Sequence, residues 1–188
     1  MGFVITGHFC VDKMQRADAG QPVLDETTDE SLLRRACDGV HRYGGKLFFQ
    51  LSHSGIKGVE SVNGAPPKHP EDFTREELDR LVEQFAFAAK KCKESGADGV
   101  QVHNAHGYLL SNFLNPEENL RTDEYGGSLE NRFRLIERIL RAVRTACGAD
   151  FPMIVKADSN GCYTIYRKRF VRCVQHKDEI EQFKTIPW

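Results

Sequence analysis

Four short apolar runs, separated by stretches of helical period, constrain this chain more than any other feature. Phe3-Val-Ile-Thr6, Lys46-Leu-Phe-Phe-Gln-Leu51, Asp98-Gly-Val-Gln-Val-His103 and Phe151-Pro-Met-Ile-Val-Lys156 each read as a strand. Between the first two, Glu26 to Tyr43 predicts a helix with Leu32, Leu33, Ala36 and Val40 on one face, stopped by Gly44-Gly45. Thr74 and Glu77 form a capping box for a second helix to about Ser95, with an apolar stripe of Leu78, Leu81, Phe85, Ala88 and Ala89. Ser128 caps a third, through about Cys147, that carries Leu135, Ile136, Ile139, Leu140 and Val143.

Strand and helix in alternation predict parallel βαβ units with right-handed crossovers. The strands are near-continuous apolar runs, as expected where helices cover them. Long loops follow the strands, whereas the helix-to-strand turns are tight. That asymmetry fits a TIM-type (β/α)8 barrel, which builds its site from the loops after its strands; a doubly wound open sheet is the competing architecture. A complete barrel takes about 250 residues and eight strands, so 188 residues and four strands are expected to supply about half of one. Residues 1–160 make up this partial barrel. From Gly161 the sequence turns basic and aromatic and the period stops, so 161–188 is a divergent tail with no assigned role.

A net charge of −1 leaves no global field for nucleic acid or an anionic membrane. No window approaches the roughly 20 apolar residues of a membrane span, and Met1-Gly-Phe-Val-Ile lacks the basic and apolar regions of a signal peptide. A start so close to a core strand raises the expectation of further sequence upstream. The six cysteines, at 10, 37, 92, 147, 162 and 173, form no C-x-x-C pair. Reduced thiols and a cytoplasmic location are expected.

The chemistry gathers where strands end. His103-Asn-Ala-His106-Gly-Tyr108 follows the third strand directly. The two histidines could be a mutually hydrogen-bonded pair, half of a metal site, or a pair that holds and polarises a carbonyl oxygen. No Cys/His cluster offers the further ligands that zinc needs. A phenol beside neutral imidazoles can donate a proton in a dry pocket. Gln50, near the end of the second strand with His53 after it, has a donor and an acceptor suited to the edge of a heterocycle, or is a solvated loop residue. Lys156 could stabilise negative charge on a ligand or snorkel at the surface. The segment from Asn119 to Ser128 could bind an anion, or be a structural loop whose Arg121 and Asp123 pair. There is no G-x-G-x-x-G, no P-loop and no G-x-S-x-G elbow.

The run from Gly96 through His103, His106, Tyr108 and Pro116, continuing from Asn119 to Arg132, closely resembles the Old Yellow Enzyme family of FMN-dependent NADH:flavin oxidoreductases and ene-reductases. Phe49-Gln50-Leu51-Ser-His53-Ser-Gly55 is a second matching block, and Val4-Ile-Thr6-Gly7 with Val11-Asp12 a weaker third; the resemblance covers roughly residues 2–160. The resemblance implies a TIM barrel with FMN at the C-terminal mouth, reduced by NADH or NADPH and reoxidised by an activated alkene. It implies that Gln50 meets the flavin pyrimidine edge, that Lys156 stands beside flavin N1 and O2, and that Gly7 borders the ring. It implies that His103 and His106 bind the substrate carbonyl and that Tyr108 protonates the α-carbon. It also implies that the family's opening strand, its last strands and its FMN-phosphate segment have no counterpart here. A catalytically inactive fragment, associating through exposed half-barrel edges, is the alternative; a phosphate-sugar isomerase barrel would leave the Asn119–Arg132 match unexplained.

Overall fold

The computed structural model describes residues 2–157 and the strand backbones of Tyr163–Tyr166 and Arg169–Arg172. Strands β1 (Phe3–Cys10), β2 (Lys46–Ser52), β3 (Gly99–Asn104) and β4 (Met153–Ala157) lie side by side in chain order, all parallel. Helices α1 (Glu30–His41), α3 (Arg75–Glu94) and α5 (Leu129–Cys147) make the crossovers. Two shorter helices, α2 (Glu60–Asn63) and α4 (Leu109–Leu114), lie in the loops after β2 and β3. Sequential parallel strands joined by crossover helices are the barrel arrangement, and β1 to β4 show no reversal of the kind that marks a doubly wound sheet.

The sheet separates two environments. Leu47, Phe49 and Leu51 of β2, Val100 and Val102 of β3 and Val155 of β4 face the helices and merge with Leu81, Phe85, Ile136 and Ile139 into one core. Side chains alternate along a strand, so Phe48, Gln50 and Ser52, Gly99, Gln101 and His103, and Ile154 and Lys156 occupy the opposite, inner face. Gly99 is there for a packing reason: a Cβ would come within 2.2 Å of the Phe48 ring and 2.6 Å of the Pro152 carbonyl oxygen.

The helices begin where side chains can cap them. Thr74 accepts from the Glu77 amide, while the Glu77 carboxylate accepts from the Thr74 amide. Ser128 accepts from the Asn131 amide. Helix α1 starts at Glu30 rather than at Glu26, because Asp29 accepts from the Ser31 amide and the preceding residues close a turn around Asp25 and Thr28.

The structure adds two strands that sequence periodicity does not indicate. Tyr163–Tyr166 (β5) runs antiparallel to β4, and Arg169–Arg172 (β6) runs antiparallel to β5. The described part of the tail, Tyr163–Tyr166 and Arg169–Arg172, therefore leaves the parallel pattern but stays in the sheet. Cys162 and Cys173 lie outside the described residues. Cys10, Cys37, Cys92 and Cys147 are free and buried, and burial raises each thiol pKa, that of Cys10 to about 12. No described helix is long and apolar enough to cross a membrane.

Candidate active site

The site is built at the carboxyl ends of β1, β2, β3 and β4. His103 pairs in register with Lys156, and Gln50 pairs with His8 on one side and Gln101 on the other. Most of the residues singled out from the sequence therefore share one face and one end of the sheet. The Gln50 carboxamide donates to Gln101 Oε1 at 2.5 Å, and its backbone amide donates to Thr6 Oγ1.

Histidine 103 is better buried than His106 or Tyr108 beside it. The residue is 2% exposed and its Nδ1 has no hydrogen-bond partner. Burial, with Lys156 and the nearby His8, His106 and Lys57 adding to it, lowers its pKa to about 3. At neutral pH it is an uncharged imidazole. The Tyr108 ring lies 4.8 Å from it, centroid to centroid, and the His106 ring meets it edge-on at 5.5 Å. His106 is exposed and holds φ at 60°, the left-handed region, and Gly107 follows at 70°. Two consecutive left-handed residues swing the chain out of β3 and bring Tyr108 back over the strand end before α4 begins. Burial raises the Tyr108 pKa, with Asp18 and Cys10 adding to the effect, so its phenol is protonated at neutral pH.

The structure brings one further imidazole into this cluster, and the sequence reading missed it. His8 Nε2 lies 3.4 Å from Tyr108 Oη, and the His8 ring is 4.9 Å from the Tyr108 ring and 5.7 Å from that of His103. Strict alternation from Phe3 and Ile5 would give Gly7 the next inward position. The register instead jumps from Ile5–Phe48 to His8–Gln50, three residues against two. That is a β-bulge at Thr6-Gly7, and bulges re-aim side chains beside active sites. Gly7 sits inside the bulge with open space around it, and the side chain presented to the site is that of His8. A glycine inside a strand run is a recognised bulge signal, and reading it would have pointed to His8.

Two other loop residues have structural duties. His53 is buried, and its Nδ1 accepts from the Gly55 amide. Its proton therefore sits on Nε2, 3.8 Å from Asp12 Oδ2. The segment from Asn119 is the structural loop, not an open anion site: Arg121 is bound to both oxygens of Asp123 at 2.9 and 2.6 Å and donates to the carbonyls of Pro70 and Phe73. Among the described residues, no three His, Cys, Asp or Glu side chains gather to hold a metal ion.

A flavin ring makes specific demands, and the inner face meets them with groups not otherwise engaged. His103 Nδ1 is an orphaned buried atom. Beyond its bond to Gln101, Gln50 keeps an amide proton and a carbonyl oxygen for a heterocycle edge. Lys156 has no acidic partner among the described residues, and its charge is felt at both His103 and His8. The donor set fits a planar heterocycle that carries negative charge when reduced.

Fold and cluster together define a class, the (β/α)-barrel proteins whose site lies at the carboxyl ends of the strands. Within it, the chain belongs to the NADH:flavin oxidoreductase / NADH oxidase family, whose model matches residues 1–167. It is 37% identical over 131 residues to an NADPH dehydrogenase of Clostridium acetobutylicum, covering 64% of this chain and 38% of that protein. It is 32% identical over 167 residues to an NADH oxidase of Thermoanaerobacter brockii, covering 81% of this chain and 26% of that one. Its fold superposes on the old yellow enzyme homologue of Zymomonas mobilis with a TM-score of 0.77 at 27% identity, over 85% of this chain and 50% of the other. Morphinone reductase in complex with tetrahydroNAD gives 0.77 at 27% identity, over 82% and 50%. The chain thus spans about half of these barrels and from a quarter to two fifths of the two curated relatives.

Proposed function

We propose that this chain carries the ring-binding and proton-donating side of an FMN-dependent oxidoreductase of the Old Yellow Enzyme type. In this reading electrons pass from NADH or NADPH to an activated alkene such as an enone. Bound FMN would supply the hydride chemistry, from the nicotinamide to the alkene β-carbon, and Gln50 and Lys156 are the residues that would hold its ring. The observation that carries the reading is the neutral imidazole of His103 packed on the phenol of Tyr108 at the end of β3, with Lys156 beside it.

The protein's own groups divide the work. Gln50, with an amide proton and a carbonyl oxygen to spare, would hold the pyrimidine edge of the ring. Lys156 places a positive charge where the reduced ring is anionic, which is electrostatic stabilisation by a pre-positioned group. Neutral His103, with His106 across from it, offers N–H donors to a substrate carbonyl and draws electron density from the alkene. Tyr108 then releases its phenolic proton to the α-carbon, and its oxygen is left as phenolate. A buried, neutral His103 suits the task because it can donate a hydrogen bond without surrendering a proton.

The test separates the two half-reactions in the FMN-loaded protein. Tyr108→Phe is expected to slow alkene reduction by about 10²-fold or more, the usual size of a lost general acid, while flavin reduction by NAD(P)H is unchanged. Equal loss in both half-reactions contradicts the assignment. His103→Ala should weaken binding of a phenolic ligand, and unchanged affinity removes it from the pocket.

A further inference from the structure

The β1 bulge presents to the site an imidazole whose partners fix where its proton lies. The Ala17 amide donates to Gln21 Oε1 at 2.6 Å, which sets the orientation of the Gln21 carboxamide. Its Nε2, a donor only, then faces His8 Nδ1 at 2.8 Å. Nδ1 must therefore be the acceptor. Ser52 Oγ, 2.9 Å from the same nitrogen, is compatible, because a hydroxyl can donate to it or turn its proton to the Phe9 carbonyl. The proton of neutral His8 is thereby confined to Nε2, and Nε2 is the atom that faces Tyr108 Oη at 3.4 Å.

We propose that His8 is a positioning residue for the Tyr108 phenol: its Nε2–H donates to the phenol oxygen, held in that tautomer by Gln21. This rests on the assignment of Tyr108 as proton donor, and two consequences follow from the geometry. An oxygen that accepts from His8 keeps its own proton directed elsewhere, toward a ligand. When that O–H bond breaks and the new C–H bond forms, the electron pair stays on the oxygen, where Nε2–H already points. His8 does not relay a second proton, because its Nδ1 faces the Gln21 carboxamide and the Ser52 hydroxyl, neither of which has an acidic proton to replace one. The tyrosinate is reprotonated from solvent.

The charged and titratable groups around the pair come from every adjoining element. Asp18 lies on the loop after β1 and Cys10 at the end of β1, Lys57 on the loop after β2, His103 on β3 and Lys156 on β4. Lys57 Nζ stands 5.5 Å over the Tyr108 ring. Burial and Lys156 lower the His8 pKa against the opposing effect of Asp18, which agrees with a neutral donor.

The proposal is tested on the full chain without substrate. Long-range proton–nitrogen NMR of histidine-labelled protein should show His8 as the Nε2–H tautomer at neutral pH; the Nδ1–H tautomer or an imidazolium overturns it. The titration of Tyr108, read as the tyrosinate absorbance lost in Tyr108→Phe, should move up by about one pH unit in His8→Phe, a tenfold loss of acidity for one hydrogen bond removed. Gln21→Leu, which frees the tautomer, should move it part of the way. An unmoved midpoint in a folded His8→Phe overturns the proposal, and the tautomer decides alone if that variant does not fold. If Tyr108→Phe retains the parental alkene-reduction rate, the donor assignment fails even though the His8–Tyr108 contact stands.

Discussion

At the scale of single residues, the site depends on keeping imidazoles neutral, and this has a cost in acid. The folded pKa of His103 is about 3, against an ordinary value of 6.5. Between those values the unfolded chain binds a proton that the folded chain refuses. The contribution of His103 is therefore complete above about pH 6.5 and is lost as pH falls toward 3, at up to about 1.4 kcal/mol per pH unit. His103→Gln should flatten the fall of the urea midpoint between about pH 6.5 and pH 5 relative to the parent; superimposable slopes would show that His103 is not the group responsible. Most of this cluster was legible in the sequence, because His103, His106 and Tyr108 are close neighbours along the chain and Lys156 ends its strand. His8 was not, because a bulge converts a period-two expectation at Gly7 into a different inward residue. The fate of Arg121 was not legible either, since pairing with Asp123 and reaching the Pro70 and Phe73 carbonyls look alike in sequence to anion binding.

At the scale of elements, local signals predicted the parts whose stability is local. The Thr74–Glu77 capping box placed the start of α3, and both of its hydrogen bonds are present. Thr74→Ala should cost about 1 kcal/mol, read as a fall in the denaturation midpoint with an unchanged slope. No measurable fall would mean that the cap is replaced by solvent at this exposed end. Gly99 is the opposite case, where the constraint is tertiary and invisible in sequence. In Gly99→Ala the new methyl group would meet the Phe48 ring at 2.2 Å and the Pro152 carbonyl at 2.6 Å. Overpacking of this kind typically costs 1–3 kcal/mol, and Phe48→Leu in the same chain should recover part of it. Strands β5 and β6 escaped sequence reading because a short antiparallel hairpin carries no helical crossover and leaves no long period to detect.

At the scale of the whole molecule, the sheet runs from β1 at one edge to β6 at the other. Phe3 and Val4 on the β1 edge are 54% and 48% exposed. An apolar edge strand is a template for pairing, and concentration-dependent sedimentation relieved by Val4→Lys is the expected behaviour; a concentration-independent monomer contradicts it. The barrel class and strand order were legible because three βα units and a fourth strand repeat the same apolar and helical signals. The family claim rests on the match over residues 1–167, and superposition on the old yellow enzyme homologue and morphinone reductase agrees with it. What the molecule does with that inheritance turns on the ring site at the ends of β1 to β4. The most direct measurement is the visible absorbance of the purified chain, desalted after incubation with excess FMN. A retained, shifted flavin band near one equivalent, lost in Lys156→Met with Gln50→Ala, is the predicted result. A folded chain that retains no flavin would contradict the account, leaving a site whose groups are in place without the cofactor they fit.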